Sequence, residues 1–145
     1  AALIAQDYDK KIERKGMKTI FLVDDDIDDQ ELIIDAISKV ENDISVITQT
    51  NGNQAILHLL NLQEINLPDL IVLDYNLPEL NGSEILEALS KHQKFDAIPK
   101  VIWSTSSTGV FEAKCMALGA RAYLIKPSDL KGIHQLAQQM VGLCQ

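Results

Sequence analysis

The sequence predicts an α/β fold: a doubly wound, five-stranded parallel sheet with helices on both faces. Five short apolar runs alternate strictly with five segments whose apolar residues recur at helical spacing. The runs are nearly continuous in Ile, Leu and Val, the pattern of strands covered on both faces. Consecutive strands separated by helices can pair only through crossovers, which are right-handed and give a parallel sheet.

Thr19-Ile20-Phe21-Leu22-Val23 reads as the first strand because the apolar run stops at acids. Asp28 with Glu31 three positions later has the form of a capping box, and Ile33, Ala36, Ile37 and Val40 follow at helical spacing. Ile44 to Thr48 alternates and reads as the second strand, and Asn51-Gly52 punctuates it. Ala55, Ile56, Leu59 and Leu60 mark the second helix, and residues 69–73 the third strand. Pro78 and Asn81-Gly82 mark turns before a third helix that starts near Ser83 and carries Ile85, Leu86 and Leu89. Pro99 opens the fourth strand, Val101-Ile102-Trp103, which runs into the hydroxyl stretch Ser104 to Thr108. The fourth helix is expected from Val110 to Leu118, closed by Gly119 in a left-handed cap. Ala122-Tyr123-Leu124-Ile125 is the fifth strand and ends at Lys126-Pro127. Ser128 or Asp129 caps a last helix with Leu130, Ile133, Ala137 and Met140 on one face. The default order for five such strands is the flavodoxin-like 2-1-3-4-5, whose switch point lies between strands one and three.

Residues 1–17 (AALIAQDYDKKIERKGM) fit none of these units and are set apart as an N-terminal extension or cloning remnant, leaving 18–145 as one domain. A chain of 145 residues with 46% hydrophobic and 23% charged content is ordinary for one globular domain. Net charge is −8, the wrong sign for a nucleic-acid binder. No run approaches the roughly 20 apolar residues of a membrane helix, and no signal peptide is visible. Cys115 and Cys144 have no metal-ligand spacing and are expected reduced, which fits a cytoplasmic location.

In open α/β sheets ligands bind beyond the carboxyl ends of the strands. Strand one offers Asp24 and Asp25 there, strand three Asp74, strand four Ser104 and Thr105, strand five Lys126. Crowded carboxylates need a counter-charge. Mg²⁺ suits them, since it takes hard oxygen ligands and keeps several waters. A lysine adds a compact positive charge and a hydroxyl one donor, so the set could stabilise a phosphoryl group on a carboxylate, with Asp as nucleophile.

At this point the sequence resembles the receiver domains of two-component response regulators, from Lys18 to about Gly142. Leu22-Val23-Asp24-Asp25, Gly52 with Ala55, Leu73-Asp74-Tyr75-Asn76-Leu77-Pro78 with Gly82, Pro99 through Thr105, and Gly119-Ala120 with Tyr123-Leu124-Ile125-Lys126-Pro127 occur in the family's order. The resemblance implies that Asp74 accepts a phosphoryl group from a phosphohistidine on a sensor histidine kinase or phosphotransfer protein. It implies Mg²⁺ on Asp25, Asp74 and the backbone carbonyl of Asn76, with Asp24 acting through a water. Lys126 would pair with the acyl phosphate. Ser104 would hydrogen-bond a phosphoryl oxygen, Tyr123 would change rotamer with it, and Lys126-Pro127 would be cis. The loop from Thr105 would be pulled inward, changing affinity for a downstream protein through the face that holds Arg121 and Tyr123. The chain stops about where the last receiver helix would, the pattern of a stand-alone receiver.

Ser104 stands where Thr is commoner, and the acids allow a second register, Asp25-Asp26, although the apolar run ending at Val23 favours Asp24-Asp25. Asp26, Asp28 and Asp29 are expected to serve the helix N-terminus, and Trp103 the core. His58, His92 and His134 sit singly, with no metal or base arrangement. Two other functions compete: a receiver-like adapter that never carries phosphate, and an aspartate-nucleophile phosphatase. The phosphatase would use a second Asp two residues after the nucleophile, where this chain has Asn76. No Gly-x-Gly-x-x-Gly follows the first strand, which disfavours a dinucleotide enzyme.

Overall fold

Side chains on successive strand positions point to opposite faces of a sheet, and here that period divides the core into two halves. The computed structural model describes residues 17–105 and 108–144. Its strands are β1 (Lys18–Val23), β2 (Ile44–Gln49), β3 (Leu70–Asp74), β4 (Lys100–Ser104) and β5 (Ala122–Ile125), all parallel, in the order β2-β1-β3-β4-β5. The helices are α1 (Ile27–Val40), α2 (Gly52–Asn61), α3 (Gly82–Ser90), α4 (Gly109–Ala117) and α5 (Leu130–Leu143). The expected doubly wound fold and strand order are present.

Ile20, Leu22, Leu70, Val72, Val101, Trp103 and Leu124 face one side, where Ile33 and Ile37 of α1 and Ile133, Ala137 and Met140 of α5 cover them. Phe21, Val23, Ile71, Leu73 and Ile102 face the other, under Leu59 of α2, Ile85 and Leu89 of α3 and Cys115 of α4. β3 is buried at every position because it has a strand on each edge and helices on both faces, whereas edge strand β5 leaves Ile125 exposed.

Local chemistry sets the helix starts. Asp26 caps α1, accepting from the backbone N–H of Asp28 and Asp29, so the expected Asp28–Glu31 capping box is not formed. Asp26 has the extended backbone a cap requires, while Asp28 is already the second helical residue. Asn51 caps α2, Asp129 caps α5, and Asn81 with Glu84 forms a reciprocal capping box on α3. Lys94 Nζ donates to the carbonyls of Leu60 and Leu62 at the end of α2. Gly119 has the expected left-handed backbone (φ 100°) after α4.

Three other differences are small. β3 starts at Leu70, because the Asp69 carboxylate turns back to accept from the Thr19 N–H at 2.8 Å. Two short 3-10 turns that helical periodicity does not mark, Glu64–Asn66 and Gln93–Phe95, stand in the connections before β3 and β4. No described peptide bond is cis, so Lys126–Pro127 is trans, contrary to expectation. An X-Pro bond favours trans by about 0.5–1 kcal/mol, and here the chain passes into Asp129 and α5 without the isomer change. The expected extension, except Met17, and Ser106 and Ser107 of the hydroxyl run lie outside the described residues.

Candidate functional site

Parallel register brings the strand ends together. Val23 pairs with Leu73, so Asp24 and Asp74 are the next residues in that register. Asp74 pairs with Trp103, so Ser104 follows on the adjacent strand. Ser104 pairs with Ile125, and the Lys126 N–H donates to the Ser104 carbonyl at 2.8 Å. Four segments far apart in sequence thus deliver Asp24, Asp74, Ser104 and Lys126 to one edge.

Lys126 Nζ is the centre of this group. It lies 2.9 Å from Asp24 Oδ2, 2.9 Å from Asp29 Oδ2 and 3.1 Å from Asp74 Oδ2. Its ammonium also stands over the Trp103 ring, 4.7 Å from the centroid. Burial works against its charge, but the hydrogen bonds to Asp29 and Asp24 and the charge of Asp74 outweigh it and hold the lysine above its ordinary pKa. Asp24 is fully buried, and burial pushes its pKa up to about 7, reinforced by Asp74 and opposed by the Asp26 N–H and Lys126.

Asp74 is buried, its Oδ1 accepting from the Asn76 N–H at 3.1 Å. The Asn76 side-chain amide donates to Ser104 Oγ at 3.3 Å, and Ser104 is buried. Tyr123 is partly buried on the same side: burial raises its pKa and a hydrogen bond with Ser104 acts against the rise. Tyr75 stacks on Phe111, ring centroids 4.4 Å apart, and packs the loop after β3 against α4. In that loop Glu79 has φ 67°, with a tight Leu80 N–H to Pro78 carbonyl bond at 2.7 Å, a strained γ-turn.

The loop needs a glycine at its far end. The Gly82 N–H donates to the Tyr75 carbonyl at 3.0 Å. A Cβ on Gly82 would stand 2.9 Å from the Asp74 carbonyl oxygen and 3.1 Å from Tyr75 Cα. Only a bare backbone lets α3 begin so close to the end of β3.

Carboxylate oxygens of Asp24, Asp25 and Asp74 lie within 4.8 Å of one another, an acidic cluster with the hard-oxygen donor set a divalent cation takes. Asp25 is exposed, which leaves room for the waters such an ion keeps.

A family model, response regulator receiver domain, matches residues 20–138. The chain belongs to that family. A curated relative, the two-component response regulator ARR7 of Arabidopsis thaliana, is 30% identical over 128 residues, 81% of this chain and 61% of the relative, so this receiver chain spans about three fifths of that protein. The crystal structure of the phosphorylated cyanobacterial phytochrome response regulator RcpA is 31% identical with a TM-score of 0.77, over 85% of this chain and 90% of that one. The Mn²⁺-bound form of response regulator Rcp1 is 29% identical with a TM-score of 0.75, over 84% of this chain and 90% of that one. This receiver domain therefore belongs with the signalling proteins of two-component systems.

Of the expected site residues in the receiver, Asp24, Asp25, Asp74, Asn76, Ser104, Tyr123 and Lys126 converge on this edge. Thr105 is exposed just beyond Ser104, and Pro127 follows Lys126. Two participants were missed by sequence reasoning. Asp29, assigned to the helix N-terminus, sends its carboxylate to Lys126. Gln30 is buried, and its side-chain amide donates to the Asp24 carbonyl. A polar residue directly after Asp29, at helical spacing with Ile33 and Ile37 on the buried stripe of α1, was the available signal.

Proposed function

We propose that this receiver is a phosphorylation switch. Asp74 attacks the phosphorus of a phosphohistidine on a sensor histidine kinase or phosphotransfer protein. The new bond is to an Asp74 carboxylate oxygen, the bond broken is phosphorus to imidazole nitrogen, and the freed imidazole takes up a proton. The observation that carries this reading is the single ammonium of Lys126 bridging Asp24 and Asp74 at 2.9 and 3.1 Å. A buried carboxylate held against a lysine ammonium is a nucleophile placed beside the cation it can share with an incoming anion.

Asp25, Asp74 and the backbone carbonyl of Asn76 would hold Mg²⁺, with Asp24 acting through a water; the ion would neutralise charge developing on the transferred group. Lys126 orients and neutralises the phosphoryl oxygens. Ser104, already linked to Asn76 and Tyr123, turns its hydroxyl toward a phosphoryl oxygen and draws the loop from Thr105 and the Tyr123 ring with it. That movement biases a two-state equilibrium and changes affinity for a downstream protein. Turnover is slow, because Asn76 offers no acid-base group beside Asp74. The same reading places the protein in the cytoplasm beside its kinase.

The test is incubation with Mg²⁺ and acetyl phosphate followed by intact-mass measurement. One phosphoryl group is expected on the native chain and none on Asp74→Asn; a mass gain that survives in the variant rejects Asp74 as acceptor. No binding of Mg²⁺ at millimolar concentration would favour the phosphate-free adapter.

A further inference from the structure

We propose that Asp29 is the counter-ion Lys126 releases when Asp74 gains a phosphoryl group, a positioning residue that sets how readily the phosphorylated form accumulates. This rests on the phosphorylation-switch reading above. An ammonium has three N–H donors and no acceptor. Lys126 Nζ already has three carboxylate oxygens at hydrogen-bond distance, from Asp24, Asp29 and Asp74. The Trp103 ring lies against it as well. A phosphoryl oxygen can enter this shell only as one of the present partners leaves.

The three carboxylates are not equally free to leave. Asp24 is fully buried, its Oδ1 accepts from the Asp26 N–H at 2.9 Å, and its carbonyl is held by Gln30. Asp74 is the residue that carries the new group. The Asp29 side chain is 30% exposed, against 0% for Asp24 and 6% for Asp74. Its backbone N–H is satisfied by Asp26, so α1 stays capped when the carboxylate turns to water. Near the N-terminus of α1 a released carboxylate keeps a favourable position with respect to the helix dipole.

Charge acts in the same direction. Acyl phosphate formation removes the carboxylate charge of Asp74 and puts about −1.5 to −2 on the phosphoryl oxygens, a net gain of up to about one negative charge next to the ammonium. Asp29 places another carboxylate on the lysine that must neutralise it. Removing that charge weakens the repulsion and leaves at that N–H only a neutral acceptor for the phosphoryl oxygen to displace. A part-exposed pair of this kind shifts an equilibrium by a factor of about two to five.

The experiment uses the full chain as native protein, Asp29→Asn and Asp29→Glu, with Mg²⁺ and sub-saturating acetyl phosphate. The phosphorylated fraction is read by intact mass, and thermal denaturation is recorded alongside. Asp29→Asn is expected to raise the ratio of phosphorylated to unphosphorylated protein about two- to fivefold. Asp29→Glu, which keeps the charge, is expected to stay near the native ratio whatever its melting temperature. In the native chain, the Asp29 carboxyl-carbon resonance is expected to move when beryllium trifluoride is added with Mg²⁺ as a phosphoryl analogue; this needs no variant to fold. An unchanged or lowered ratio in Asp29→Asn, or a stationary resonance, overturns the role of Asp29 while native uptake at Asp74 leaves the switch standing. Absence of uptake at Asp74 in the native chain overturns both.

Discussion

The ammonium of Lys126 stands over the indole of Trp103, 4.7 Å from its centroid. Trp103 is the single tryptophan of the chain and is fully buried between α1 and α5. A cation on an indole face perturbs its emission, so any event that moves Lys126 is expected to change intrinsic fluorescence. Adding Mg²⁺ should therefore alter emission in the native protein but not in Lys126→Met. Trp103→Leu should lower unfolding free energy by about 2–4 kcal/mol, because its ring fills the sheet face under two helices. Trp103→Phe, which keeps a ring, should cost less; urea denaturation measures both.

Stability without metal should fall as pH rises from about 4 to about 7. Folding raises the Asp24 pKa from 3.8 to about 7, chiefly through burial. Between those values the folded chain keeps a proton the unfolded chain has released. The Asp24 contribution is thus fully present below the unfolded pKa and lost as pH climbs through the folded one. Asp24→Asn should flatten that slope and, at pH 8 in chelator, stabilise the protein by about 1–2 kcal/mol. Urea denaturation of both proteins at pH 5 and pH 8 is the measurement; a native protein more stable at pH 8 than at pH 5 would contradict it.

Lys126→Ala should be most harmful at high pH. It leaves Asp24 and Asp74 buried without their cation, a loss of about 3–5 kcal/mol when a buried pair is broken. At pH 5 protonation of Asp24 relieves part of that cost, and Mg²⁺ should relieve part of it at pH 8. Thermal melts across pH, with and without the ion, report the difference.

Gly82→Ala should destabilise by about 1–3 kcal/mol, the range for overpacking. Its new methyl would meet the Asp74 carbonyl oxygen at 2.9 Å and Ile102 Cδ1 at 3.0 Å, so β3 or α3 must shift. Phosphoryl uptake at Asp74 should slow in the same variant. Gly142→Ala, with open space around it, should do neither.

Much of this was legible in the residues. The strands were readable because each run is apolar on both faces, and the site because acids, hydroxyl and lysine each stand one step past a run. The cap of α1 was less so: Asp26 and Asp28 are the same residue type, and only backbone conformation selects Asp26. Likewise Lys126–Pro127 carries no local mark of its isomer, and the trans bond emerged only with the chain path into α5. Asp29 was read as a helix acid, which describes its backbone position and misses where its side chain goes.

By itself the sequence determined the alternation of strands and helices, the parallel sheet and the residues at its carboxyl edge, because periodicity and strand endings are local properties. Only the tertiary structure decided how those residues meet. Lys126 lies 97 residues from Asp29 and 102 from Asp24 along the chain, yet 2.9 Å from each carboxylate. Strand register, the start of α1 and the Gly82 contact set those distances, and they depend on packing between segments that no short stretch of sequence contains.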